Sequence, residues 1–118
     1  DIWFSNWAGA YRFDGNTFTS YSTSYGLAGY NGIVSKIIED KSGNLYFGVD
    51  GGLSRYEPTL VKLVGQNKSF TVFNDGLINP WIWMILEDNA GNIWVGTRET
   101  GLYLFDGKSF INYSENEQ

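Results

Sequence analysis

The chain has 118 residues, 42% hydrophobic and 18% aromatic, with 8 Lys plus Arg against 13 Asp plus Glu, and neither Cys nor His. That composition suits one globular domain, and a formal charge of -5 disfavours attraction to nucleic acid or anionic membranes. Disulfides, thiol nucleophiles, imidazole bases and the common zinc ligands are excluded, which leaves carboxylates, hydroxyls, amides, Lys and Arg for any chemistry.

In chain order, Ile2-Trp3-Phe4-Ser5 comes first, then Gly9-Ala10-Tyr11-Arg12-Phe13-Asp14-Gly15, then Phe18-Thr19-Ser20-Tyr21 and Gly26-Leu27. A fuller version of the same series follows. It runs from Glu39-Asp40-Lys41-Ser42-Gly43-Asn44-Leu45-Tyr46-Phe47-Gly48 through Gly52-Leu53-Ser54-Arg55-Tyr56 to Phe70-Thr71-Val72-Phe73 and Gly76-Leu77. The third version starts 48 residues after the second, at Glu87-Asp88-Asn89-Ala90-Gly91-Asn92-Ile93-Trp94-Val95-Gly96. Gly101-Leu102-Tyr103-Leu104-Phe105 and Phe110-Ile111-Asn112-Tyr113 complete it, and Asp14-Gly15-Asn16-Thr17-Phe18 reappears as Asp106-Gly107-Lys108-Ser109-Phe110.

Each piece is short, rich in aromatic and β-branched residues, and bounded by Gly, Asn or Asp, which predicts strands of about four to six residues closed by tight turns. Helix has little support anywhere. Four antiparallel strands per repeat of roughly 40 to 50 residues describe a β-propeller blade. The expected fold is all-β, a partial propeller of just under three blades with eleven strands. Residues 1–27 make blade one without its inner strand, 28–77 blade two, and 78–118 blade three. Between Tyr56 and Phe70 lie 13 residues against four between Phe105 and Phe110, so the third-to-fourth-strand connection of blade two, 57–68, carries an insertion. Its apolar stretch Leu60 to Val64 reads equally as a partner-binding strand or as a flap over its own blade.

Glu39-Asp40 and Glu87-Asp88 are adjacent carboxylate pairs, but neighbours on a strand point to opposite faces and the spacing is not that of a calcium loop. The turn reading is stronger: Asp40 and Asp88 accept backbone N–H bonds while Gly43 and Gly91 take positive φ. Trp3, Tyr46 and Trp94 occupy one repeating position and are expected to pack between blades. Lys36 on the inner strand, with Met84 at its place in blade three, reads as a solvated channel-wall lysine more readily than as a ligand contact.

Aromatic residues outside the repeat pattern point to a site. Trp7, Tyr30 and Asn79-Pro80-Trp81 fall in connections that reach one face of a propeller, and Asp50, Arg98 and Glu99 fall in loops on that same face. Aromatic planes beside carboxylate, guanidinium and amide groups suit a small polar ligand with apolar ring faces, such as an oligosaccharide.

The stretch Ile85 to Thr97 followed by Gly101-Leu102-Tyr103-Leu104-Phe105 resembles the two-component regulator propeller repeats of bacterial hybrid histidine kinase sensor domains. Blade two is similar with Tyr46 for Trp and Val49 for Thr, and blade one with Ser5 for Gly. The resemblance implies an extracytoplasmic or periplasmic sensor module of the kind that detects carbohydrate breakdown products. The N-terminus Asp1-Ile2-Trp3-Phe4 lacks a signal-peptide layout, which leaves the cytoplasm open, and no apolar run approaches the ~20 residues of a membrane span.

The expected function is therefore non-catalytic ligand binding or sensing, with no catalytic residue, no metal and no cofactor. A propeller-type lyase and a structural fragment without activity of its own are the alternatives. The expected partner, besides a ligand, is a second copy or the rest of a larger propeller. A head-to-tail dimer closing a six-bladed ring, with Trp83, Met84 and Ile85 near the axis, is favoured.

Overall fold

A computed structural model describes residues 2–6, 9–21, 34–64 and 70–113. β1 (Ile2–Asn6), β2 (Gly9–Phe13) and β3 (Phe18–Tyr21) pair in order as a three-stranded antiparallel sheet. A four-stranded sheet follows, of β4 (Val34–Glu39), β5 (Leu45–Val49), β6 (Gly52–Tyr56) and β7 (Phe70–Phe73). The third sheet repeats it with β8 (Ile82–Glu87), β9 (Ile93–Thr97), β10 (Leu102–Phe105) and β11 (Phe110–Asn112). Every strand pairs only with its neighbours in sequence, and the two complete sheets share even an irregularity, a register shift between Val34 and Lys36 and between Ile82 and Met84. The chain is a nearly all-β run of three propeller-type sheets, called blades one to three below.

One element departs from expectation. Pro58–Val64 form α1, the only helix among the described residues, where the sequence offered little support for any. Pro58 sits at its first position, where a missing N–H costs nothing and a fixed φ helps, and Glu57 supplies the carbonyl that accepts from Val61 N at 3.0 Å. A helix this short is marginal by itself, so its stability comes from packing. Val61 is buried among Tyr21, Phe47, Tyr56 and Phe70, in the seam between blades one and two.

Alternation along each strand sends one side chain toward the preceding blade and the next toward the following one. The first seam thus joins Trp3, Ala10 and Tyr21 of blade one to Phe47, Tyr56 and Phe70 of blade two. Trp3 lies 5.4 Å from Phe47 and 5.0 Å from Tyr56 between ring centroids, both edge-on, the favourable aromatic geometry. Arg12 crosses the same seam, donating from Nη1 to Tyr56 Oη at 3.0 Å. The second seam joins Tyr46, Leu53 and Phe73 to Ile82, Ile93, Val95, Tyr103, Phe105 and Phe110. Gly48 is needed there: a Cβ on it would stand 2.9 Å from Ile82 Cγ2. Ser35 Oγ ties the seam at the inner strands by donating toward the carbonyls of Gly48 and Ile82.

Candidate ligand-binding site

In an up-and-down sheet the first-to-second and third-to-fourth strand turns emerge at one end, and the remaining connections at the other. At the first end Asp88 Oδ1 accepts from the backbone N–H of Ala90 at 3.0 Å and of Asn92 at 2.9 Å. Its Oδ2 accepts from the Trp94 indole at 3.0 Å and from Asn92 Nδ2 at 3.1 Å. These donors, the indole foremost, lower the Asp88 carboxyl to about 2. Asp40 Oδ1 likewise accepts from Ser42 N at 2.9 Å and Asn44 N at 3.0 Å. Gly43 and Gly91 hold φ of 87° and 89°, a region that favours glycine. Asp14 and Asp106, in the other turns of this end, are held below the ordinary carboxylate range chiefly by backbone N–H groups of Thr17 and Asn16 and of Ser109 and Lys108.

Asp14, Asp40, Asp88 and Asp106 are thus engaged in closing turns. Among the described residues no three Asp or Glu gather as a metal site. Two notches of about 240 and 250 Å³ also open here, one lined by Trp3, Glu39, Gly43, Leu45 and Pro58, the other by Tyr46, Gly91, Asn92, Ile93 and Phe105. They occupy equivalent places in the two seams, as a geometric product of repeating the blade.

The opposite end differs from blade to blade. Asn79 and Trp81 lie on the connection into β8, and Arg98 and Glu99 on the loop between β9 and β10. Trp81 N donates to Asn79 Oδ1 at 3.0 Å, Arg98 N to Trp81 O at 3.0 Å, and Asn79 Nδ2 to Glu99 Oε2 at 3.4 Å. The Arg98 guanidinium lies over the Trp81 ring, 4.9 Å from its centroid, a cation–π pair. The structure therefore brings Asn79, Trp81, Arg98 and Glu99 into one cluster. Beside it, Trp83, Thr97 and Arg98 line an open cleft of about 300 Å³.

Asp50 differs from them in burial. Only two residues connect β5 to β6, against four between β9 and β10, so the short turn lies tight on the sheet and Asp50 is 6% exposed. Trp7 and Tyr30 lie outside the described residues. Trp83 and Thr97 were not among the residues singled out for the ligand face. Trp83 carried a signal, because it replaces Ser35 of the preceding repeat and is 54% exposed, unlike the seam aromatics. Lys36 and Met84 are both exposed on the inner strands.

Residues 76–99 match the two-component regulator propeller family. This propeller repeat spans β8, the Asp88 turn, β9 and the whole Asn79–Glu99 cluster. The chain is similar to the extracellular domain of a hybrid two-component system from B. thetaiotaomicron, with 31% identity, a TM-score of 0.67 and 93% of this chain covered. It spans 14% of that chain's length. No curated protein matches it. No helix among the described residues is long and apolar enough to cross a membrane.

Proposed function

We propose that the chain is a non-catalytic, extracytoplasmic sensor-type propeller module that binds a small polar ligand with apolar ring faces, of the oligosaccharide class. The ligand face is the end bearing Asn79, Trp81, Trp83, Arg98 and Glu99. The observation that carries the reading is the Arg98–Trp81 stack at the mouth of a cleft whose wall is the exposed Trp83. An indole offers a plane to the C–H face of a sugar ring, and a guanidinium pre-oriented by stacking donates in a fork to ring hydroxyls or a carboxylate. Sensor-type regulation is supported by the matched repeat family and by the extracellular domain to which the chain is similar. At the opposite end the use of Asp40 and Asp88 as turn-closing acceptors supports a structural rather than a catalytic role for them.

The test is a titration of neutral and acidic oligosaccharides followed by tryptophan fluorescence and calorimetry. Trp81→Ala is expected to weaken binding about 10-fold, the loss of one good stacking contact. No response at millimolar ligand, or affinity unchanged in both Trp81→Ala and Arg98→Ala, would overturn the site. Turnover of any ligand in the panel would overturn the non-catalytic reading.

A further inference from the structure

One buried hydroxyl joins the two loops that make the Trp81 and Arg98 end of blade three. Tyr103 is fully buried in the second seam, its ring edge-on to Phe110 with 6.4 Å between centroids. Its Oη donates to Thr100 Oγ1 at 3.0 Å and accepts from Ile78 N at 3.4 Å. Ile78 belongs to the connection that carries Asn79 and Trp81, and Thr100 to the β9–β10 loop that carries Arg98 and Glu99.

From Thr100 the bonds continue to the cleft wall. Thr100 Oγ1 lies 2.8 Å from Thr97 Oγ1, which accepts from Thr100 N at 3.1 Å and donates to Gly101 O at 3.3 Å. A single direction of donation satisfies all three hydroxyls: Ile78 N–H to Tyr103, Tyr103 to Thr100, Thr100 to Thr97, and Thr97 to the Gly101 carbonyl. In such a run each bond polarises the next in the same sense, and the low dielectric of a seam strengthens it further. Thr97 also lines the cleft beside Trp83 and Arg98. Asn112 Nδ2 donates to Thr100 O at 3.3 Å, which fixes the loop from β11 as well.

Nothing in the repeat requires this run. In blade two Ser54 stands at the place of Tyr103, and β5 and β6 are joined by two residues where β9 and β10 are joined by four. The tyrosine and the longer loop occur together in the blade that stacks a guanidinium on an indole.

We infer that Tyr103 is a positioning residue: its hydroxyl, buried beyond the reach of a ligand, clamps the two loops so that Arg98 lies over Trp81 before a ligand arrives. Its effect on affinity rests on the ligand-face reading proposed above. A guanidinium held in advance loses less freedom on binding, so removing the clamp weakens binding without removing a ligand contact.

The experiment compares the intact chain with Tyr103→Phe, Thr100→Val, Thr100→Ser and Ile85→Val by nuclear magnetic resonance without ligand. In the parent, the Trp81 ring is expected to displace the Arg98 side-chain resonances upfield. Tyr103→Phe keeps the ring in the seam and is expected to lose most of that displacement. Thr100→Val cuts the same run from the loop side and is expected to do likewise, whereas Thr100→Ser restores the hydroxyl and keeps the displacement. Ile85→Val loosens the same seam without touching the run and is expected to leave Arg98 unmoved. In the titration of neutral and acidic oligosaccharides, Tyr103→Phe is expected to weaken binding about 3- to 10-fold, the loss of one hydrogen bond.

A parent without the displacement, a folded Tyr103→Phe or Thr100→Val that keeps it, or an equal loss in Thr100→Ser or Ile85→Val would each overturn the inference. If Tyr103→Phe does not fold, Thr100→Val decides. If no oligosaccharide binds the parent while both hydroxyl-removing variants release Arg98, the ligand reading falls and the positioning role stands. A ligand bound equally by the parent and Tyr103→Phe overturns the positioning role and leaves the ligand face intact.

Discussion

Gly48 separates two effects that a glycine usually mixes. Its φ lies outside the positive region, so adding a methyl group incurs no backbone strain, and on conformational grounds Gly48→Ala in a strand would stabilise by roughly 0.5–1 kcal/mol. The seam decides otherwise. The new Cβ would stand 2.9 Å from Ile82 Cγ2 and 3.4 Å from Ile82 Cβ and O. Ile82 is fully buried, and its Cγ2 sits directly on a stiff β-branched centre, so it cannot swing away. Overpacking of this kind costs about 1–3 kcal/mol, which on mid-range values outweighs the entropic gain and makes the substitution net destabilising by roughly 1 kcal/mol, and by at most about 2.5 kcal/mol. The assay is a double-mutant cycle by urea denaturation at fixed protein concentration, pairing Gly48→Ala with Ile82→Ala. Ile82→Ala alone is expected to cost about 2–5 kcal/mol through the cavity it leaves, and in that background Gly48→Ala should become neutral or stabilising. An equal cost of Gly48→Ala in both backgrounds would refute the contact, and with it the placement of blade three on blade two.

Two further outcomes concern the turn end. Gly91→Val places a β-branched residue at φ 89° with open space around its Cβ, so strain alone is expected to lower the denaturant midpoint by the equivalent of about 1–3 kcal/mol. Asp88 has a folded pKa of about 2, below the usual 3.8, so its contribution is complete above about pH 4 and is lost as pH falls through 2. Thermal melts between pH 5 and pH 2 are expected to fall less steeply in Asp88→Asn than in the parent chain, and equal slopes would refute the assignment.

The fold is legible because a propeller blade is written locally. Aromatic and β-branched pieces of strand length, cut by Gly-bearing turns and repeated 48 residues apart, leave little choice of sheet order. The helix was not legible for a physical reason. Thr59, Val61 and Val64 are β-branched in a seven-residue element, so local preference favours extension, and burial of Val61 against Phe47 and Phe70 overrides it. Asp50 shows the same limit at the ligand face. Loop assignment puts it on the same face as Arg98 and Glu99 but says nothing of burial, and in a two-residue connection its side chain lies close on the sheet, 6% exposed. Trp83 was visible as a departure from the repeat, yet only its exposure separates a cleft wall from another seam ring.

The net charge of -5 describes the end bearing Trp81 and Arg98 poorly, because Asp14, Asp40, Asp88 and Asp106 are held at the other end. Asp14, Asp40, Asp88 and Asp106 sit in turns where backbone N–H groups already take up Oδ1, and the Asp40 pattern recurs at Asp88 and the Asp14 pattern at Asp106, because those blades close equivalent turns. A ligand arriving there would have to displace bonds that hold the sheets in register. The opposite end carries no such obligation. Its connections differ in length and sequence, and in blade three they set the Arg98 guanidinium over the half-buried Trp81 ring, beside Trp83, which is 54% exposed at the start of β8. Repetition thus leaves one end of the blades chemically saturated and the other free to vary. At the varied end of blade three the local field is set by Arg98 and Glu99, since charges at the far turns are largely screened beyond the Debye length of about 8 Å.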